Sequence, residues 1–159
     1  MNNLLTQKSV LFAPNGGPTV SMLGVNISYK ITSPETDGAY ALLDYSMPPK
    51  FAGPPPHWHK VTNESFYVLE GKITFMMDSQ VFIGEPGAFV YVPTRTIHKF
   101  SNEQDEPARM LSVITPGGFE EYFKELVTLA QSEPTWPPKD MSKVLALYQK
   151  YDTFMPEEL

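Results

Sequence analysis

The chain has 159 residues, 42% of them hydrophobic and 19% charged, a composition of globular proteins with enough surface to bury a core. A net charge of −6 with no cluster of Lys and Arg excludes nucleic acid as a partner, because phosphate binding needs concentrated positive charge. The absence of cysteine excludes disulfides, thiolate metal sites and a Cys nucleophile.

Residues 1–17 show no basic start followed by a long apolar run, so no signal peptide is expected. No apolar stretch approaches the roughly 20 residues of a membrane helix, so the expectation is a cytoplasmic protein with no membrane partner. Short runs rich in β-branched and aromatic residues then follow at 26–32, 39–47, 65–77, 80–85, 87–93 and 108–115. Gly, Pro, Asn and Asp separate them, and most of the sixteen prolines fall between the runs. This pattern predicts an all-β sandwich or small barrel over about residues 18–115.

After Thr115–Gly118 the pattern becomes helical. Phe119, Tyr122, Phe123, Leu126, Val127 and Ala130 share one helical face, with Glu120 and Glu121 in the first turn where the dipole favours negative charge. A second helix is expected from about Asp140 to Tyr151, burying Met141, Val144, Leu145 and Tyr148. The two would form a C-terminal helical segment, about 118–155, capping the β body through core or subunit contacts rather than a cofactor site. With no repeat and no linker, residues 1–159 read as one domain.

The chain holds three histidines, and two of them, His57 and His59, are one residue apart. On an extended strand both imidazoles point to the same side. Glu64 begins the next strand after a short turn, and His98 lies in another strand–turn–strand stretch. Two readings stand on these residues alone. One is ordinary structural or surface histidines beside turns. The other is a metal site, since three neutral imidazoles and one carboxylate suit Fe, Mn, Ni, Co, Cu or Zn and leave an octahedral ion two open positions.

The spacing also resembles the two sequence motifs of the cupin superfamily. The first motif, G(X)5HXH(X)3–4E(X)6G, is met by Gly53, His57, His59, Glu64 and Gly71, with three residues rather than five after Gly53. The second, G(X)5PXG(X)2H(X)3N, is met by Gly87, Pro93, His98 and Asn102, with Arg95 in place of the motif glycine. The stretch between the motifs, residues 72–86, has the short length of small microbial cupins. The resemblance implies a double-stranded β-barrel, or jelly roll, with C-terminal helices, and one metal held inside it by His57, His59, Glu64 and His98. Similarity extends over most of the chain to small single-domain bacterial cupins named quercetin 2,3-dioxygenase-like. Glycine in the motif permits positive φ or close backbone approach, so Arg95 predicts a different turn.

Alternation puts Phe66 and Val68 on the face of Glu64, and Phe100 on that of His98; Tyr67 and Leu69 face the other way. Trp58 points away from the metal, in a packing role. Phe66, Val68 and Phe100 either fill the barrel or line a pocket that favours a flat small-molecule organic ligand over a sugar phosphate. Resemblance to the quercetinases implies a metal-dependent dioxygenase acting on a flavonol-like or other planar oxygenated compound, with Glu64 as catalytic base. The alternatives are a non-catalytic binding or sensing barrel and a metal-dependent isomerase or lyase. A C2 homodimer is expected, because barrels of this class cover an edge strand or a sheet face with a partner.

Overall fold

The computed structural model describes residues 9–158, so the first eight residues of the segment read for a signal peptide lie outside the described part. Eleven strands and two helices follow one another: β1 (Thr19–Met22), β2 (Val25–Ile31), β3 (Ala41–Met47), β4 (Trp58–His59), β5 (Asn63–Glu70), β6 (Ile73–Met77), β7 (Gln80–Gly84), β8 (Phe89–Val92), β9 (His98–Ser101), β10 (Ala108–Thr115), α1 (Glu121–Ser132), α2 (Ser142–Lys150) and β11 (Thr153–Phe154). All strand pairs are antiparallel.

One sheet has the order β1-β2-β3-β10-β5-β8, a second has the order β7-β6-β9, and β11 pairs with β4. The two larger sheets enclose one apolar core, which draws Leu43 and Tyr45 from β3, Phe66 and Val68 from β5, Phe75 from β6 and Phe100 from β9. This is the expected all-β jelly roll with C-terminal helices. Period-two alternation builds it: in β10 the residues Ala108, Met110, Ser112 and Ile114 are buried and their neighbours half-buried. The register sets Ile114 opposite Glu64 and Ser112 opposite Phe66, so the carboxylate stands at one end of an otherwise apolar strand face.

Gly53 holds the entry to the His57 segment close to β9. Its φ is +76°, and a Cβ there would lie 1.7 Å from the carbonyl oxygen of Phe100, so no other residue fits.

The helices differ in detail from expectation. α1 begins at Glu121, and Glu120 ahead of it turns a fully buried carboxylate not to the helix but to the N–H groups of Ser33 and Gly118, whose hydrogen bonds it accepts. α2 buries Val144 and Leu147, while Met141 and Leu145 are 39% and 47% exposed, which corrects the expected face. The helix runs into β11, whose pairing with β4 holds the end of α2 against the β body, a tertiary constraint that the local apolar stripe does not contain. Among the described residues no helix is long and apolar enough to cross a membrane.

Candidate metal centre

The four residues picked out by spacing come from four positions on the barrel. His57 precedes β4, His59 ends it, Glu64 follows the start of β5 and His98 opens β9. His57 and His98 face each other across a backbone bridge, with N–H to O distances of 3.1 and 2.8 Å in the two directions. All four side chains are buried, and one potential ligand atom from each falls in a group whose members lie within 4.8 Å of one another.

The hydrogen bonds determine what each ring presents. Nδ1–H of His57 donates to the carbonyl oxygen of Pro55 at 2.9 Å, that of His59 to Asp152 at 2.8 Å and that of His98 to Thr96 at 2.9 Å. A carbonyl oxygen only accepts, so each Nδ1 carries the hydrogen and each neutral ring keeps a lone pair on Nε2. That is the tautomer in which imidazole ligates a metal while a neighbouring carbonyl orients it. Nε2 of His98 lies 2.8 Å from Oε2 of Glu64. Nε2 of His59 is 3.4 Å from the same oxygen, without hydrogen-bond geometry, and is a buried nitrogen with no partner. Lone pairs and a carboxylate gathered around one point suit a cation. The donor set therefore fits a divalent transition metal of the borderline class.

Electrostatics agree with the donor set at Glu64 and His57, whereas at His59 a proton competes for the lone pair. Burial pushes the Glu64 carboxyl up, but the His59 and His98 imidazoles outweigh it and hold the group well below the usual carboxylate range. Burial, with repulsion from His98 and His59, pushes His57 down to about 3, so this ring stays neutral. His59 is raised: burial opposes its charge, and the Glu64 carboxylate overcomes that.

Trp58 turns away from the centre as expected. Its ring stacks on Phe154 with centroids 4.7 Å apart, and its Nε1–H donates to the carbonyl oxygen of Met155 at 3.0 Å. Arg95 departs from expectation. Its φ is +64°, so the left-handed turn is kept with arginine in it. Its N–H donates to the carbonyl oxygen of His59 at 2.7 Å, and that bond offsets a strain of about 1–2 kcal/mol.

A cavity of about 200 Å³ adjoins His57 and Glu64. Of the expected pocket residues Phe100 lines it, whereas Phe66 and Val68 sit deeper along β5, with Phe66 packed on Phe75 and Phe100. Sequence reasoning missed two parts of the wall. One is α1 with the segment just ahead of it, which contributes Phe119, Phe123 and Leu126 in a stripe read as core or subunit contact. The other is Tyr45, 3% exposed, whose hydroxyl has no hydrogen-bond partner among the described residues. A tyrosine on the inward face of β3 gives no signal that separates it from ordinary core. Among the described residues no Lys or Arg lines the cavity, and Glu64 is its one carboxylate.

Residues 43–114 match the cupin domain family. The chain contains a cupin domain. Over 91 residues, 57% of its length, this cupin is 35% identical to quercetin 2,3-dioxygenase of Bacillus subtilis, and over 108 residues, 64% of its length, 32% identical to that of Aspergillus japonicus. The matched stretch spans 26% and 31% of those two longer proteins. The cupin also superposes on the structure of KdgF from Halomonas sp. with a TM-score of 0.62 and 13% identity, covering 72% of this chain and 99% of that one. This last likeness shows the shared fold.

Proposed function

We propose that this cupin is a metal-dependent dioxygenase for a flavonol-like or other planar oxygenated organic compound. His57, His59, Glu64 and His98 would hold one divalent transition metal. One observation carries the reading: imidazole lone pairs meet a buried carboxylate at the edge of an apolar cavity with no cationic lining residue among the described ones. Its similarity to two quercetin 2,3-dioxygenases supports the reaction class.

Bound there, the ion supplies Lewis-acid and redox chemistry for joining an organic substrate with O₂. The chain's own residues do the rest. Phe100, Phe119 and Phe123 give flat apolar surface against which a ring system is oriented and water excluded. The lack of lysine and arginine among the described lining residues disfavours phosphates and carboxylic acids as substrates. Tyr45 offers a hydroxyl to an oxygen of the bound compound. Glu64, ionised and facing the cavity, accepts the proton of a substrate hydroxyl at a carboxylate oxygen.

The test is reconstitution with Fe, Mn, Co and Ni separately, followed by a flavonol under air and under argon. Ring-opened product and O₂ uptake only under air support the dioxygenase. Tight binding without turnover, across a wider panel of phenols and diketones, would instead make it a binding or sensing barrel. Turnover that persists under argon would make it an isomerase or lyase.

A further inference from the structure

The three histidines of the centre are not oriented in the same way. His57 and His98 each donate Nδ1–H to a carbonyl two residues earlier in their own loop, at Pro55 and Thr96. Their ring positions are therefore built locally. His59 donates to the carbonyl of Asp152, 93 residues away, at 2.8 Å. Asp152 lies beyond α2, in the segment that returns to pair β11 with β4, Thr153 opposite His59 and Phe154 opposite Trp58. It also lies outside the stretch matching the cupin family, which ends at residue 114.

The side chain of the same residue makes a second connection. Oδ1 of Asp152 accepts the N–H of Lys60 at 3.0 Å, and Oδ2 accepts those of Val61 and Thr62 at 2.9 Å each. Residues 60–62 form the turn between His59 and the strand that carries Glu64. Asp152 thus grips, with its carbonyl, the ring of one ligand and, with its carboxylate, the link between that ligand and the next. Its own φ is +52°, a left-handed conformation that aspartate tolerates better than most residues. Hydrogen bonds from backbone N–H groups to a carboxylate are charge-assisted and about twice as strong as neutral ones.

We infer that Asp152 is a positioning residue for the metal centre, and that the C-terminal segment around it is a clasp whose docking sets the orientation of His59 and with it the affinity for the ion. This rests on reading the four side chains as a metal site. Coupling runs both ways by linkage: an ion that holds His59 in place also holds the clasp against β4. His57 and His98 need no such support.

The experiment titrates cobalt(II) into metal-free protein and reads the dissociation constant by chelator competition and the visible spectrum of the bound ion. Four chains are compared: wild type, Asp152→Ala, Asp152→Asn and Ile73→Val. The last is a buried position at the end of β6 that pairs with Gly84, the opposite end from Met77, which pairs with His98; it lies outside the C-terminal segment and controls for lost stability. Orienting partners of metal-bound histidines are worth roughly 10–100-fold in affinity. Asp152→Ala is expected to weaken cobalt binding within that range and to change the spectrum. Asp152→Asn keeps the left-handed turn and one acceptor oxygen, and is expected to lose several-fold. Ile73→Val is expected to melt earlier and bind cobalt within about twofold of wild type. Wild-type affinity and spectrum in Asp152→Asn and Asp152→Ala would overturn the inference, as would an equal loss in Ile73→Val. Should wild type itself bind no cobalt, the metal site falls and the inference with it.

Discussion

Nε2 of His98 lies 2.8 Å from a carboxylate oxygen of Glu64, while Nδ1 of the same ring lies 2.9 Å from the carbonyl oxygen of Thr96. One imidazole faces two acceptors. A neutral ring has a single N–H, so one of these contacts requires extra positive charge, from a proton or from a metal ion. Both residues are buried, and an uncompensated arrangement of this kind would be costly.

Glu64→Gln separates the two sources of charge. The amide can donate to Nε2 of His98 and so satisfies the pair without any ion. The metal-free variant is expected to melt within a few degrees of wild type, yet to bind a divalent metal at least about tenfold more weakly, since the carboxylate ligand is gone. If the protein is a dioxygenase, kcat should fall more than substrate affinity, because side-chain shape is kept and basicity removed. Thermal melts with chelator present, metal titrations and steady-state kinetics normalised to bound metal check each part.

Tyr45→Phe tests the cavity. Removing a hydroxyl without a partner among the described residues leaves metal binding unchanged and weakens binding of an oxygenated aromatic ligand by roughly 2–10-fold. A ligand lacking the oxygen should bind both forms equally. Calorimetric titration with a matched ligand pair gives the answer.

The gathering of His57, His59, Glu64 and His98 into one buried group was legible because they sit in short linear segments: alternation brings His57 and His59 to one side, and strand pairing carries Glu64 and His98 to them. Asp152 was not legible. Its role depends on a two-residue strand, β11, that exists only through pairing with β4 some ninety residues earlier, and no local pattern announces such a pairing. The face of α2 was misread for a related reason. Met141, Val144, Leu145 and Tyr148 form an apolar stripe; Val144 is buried as the stripe predicts, but Leu147 is the second residue turned inward, while Met141 and Leu145 are exposed. At Arg95 a local steric preference was outweighed by one backbone hydrogen bond to His59.

On the outer face of the larger sheet, Arg109 binds the buried Asp44 carboxylate through Nε at 2.9 Å and Nη2 at 2.7 Å. The guanidinium holds the Asp44 carboxyl below its ordinary value, against the opposing effect of burial. A depressed folded pKa contributes stability that is complete above the ordinary value of 3.8 and is lost as pH falls through the folded value. Arg109→Ala is expected to cost about 2 kcal/mol at neutral pH, with Lys30 at 3.5 Å left as partial compensation. The gap between the two proteins should close as the pH drops below 4. Urea melts at a series of pH values measure it.

Ser112 is fully buried in β10, and its hydroxyl has no partner among the described residues. Ser112→Ala removes that polar atom and little volume, so stability should rise by about 1 kcal/mol. A fall in the urea midpoint at constant m-value would show that the hydroxyl makes a needed contact.

The central claim is that these four side chains hold one metal ion, and elemental analysis of reconstituted, desalted protein tests it most directly. Wild type should carry about one divalent transition-metal ion per chain, and His98→Ala, which leaves an incomplete donor set, should lose most of it. Equal and low metal content in the two proteins, with both correctly folded, would contradict the account.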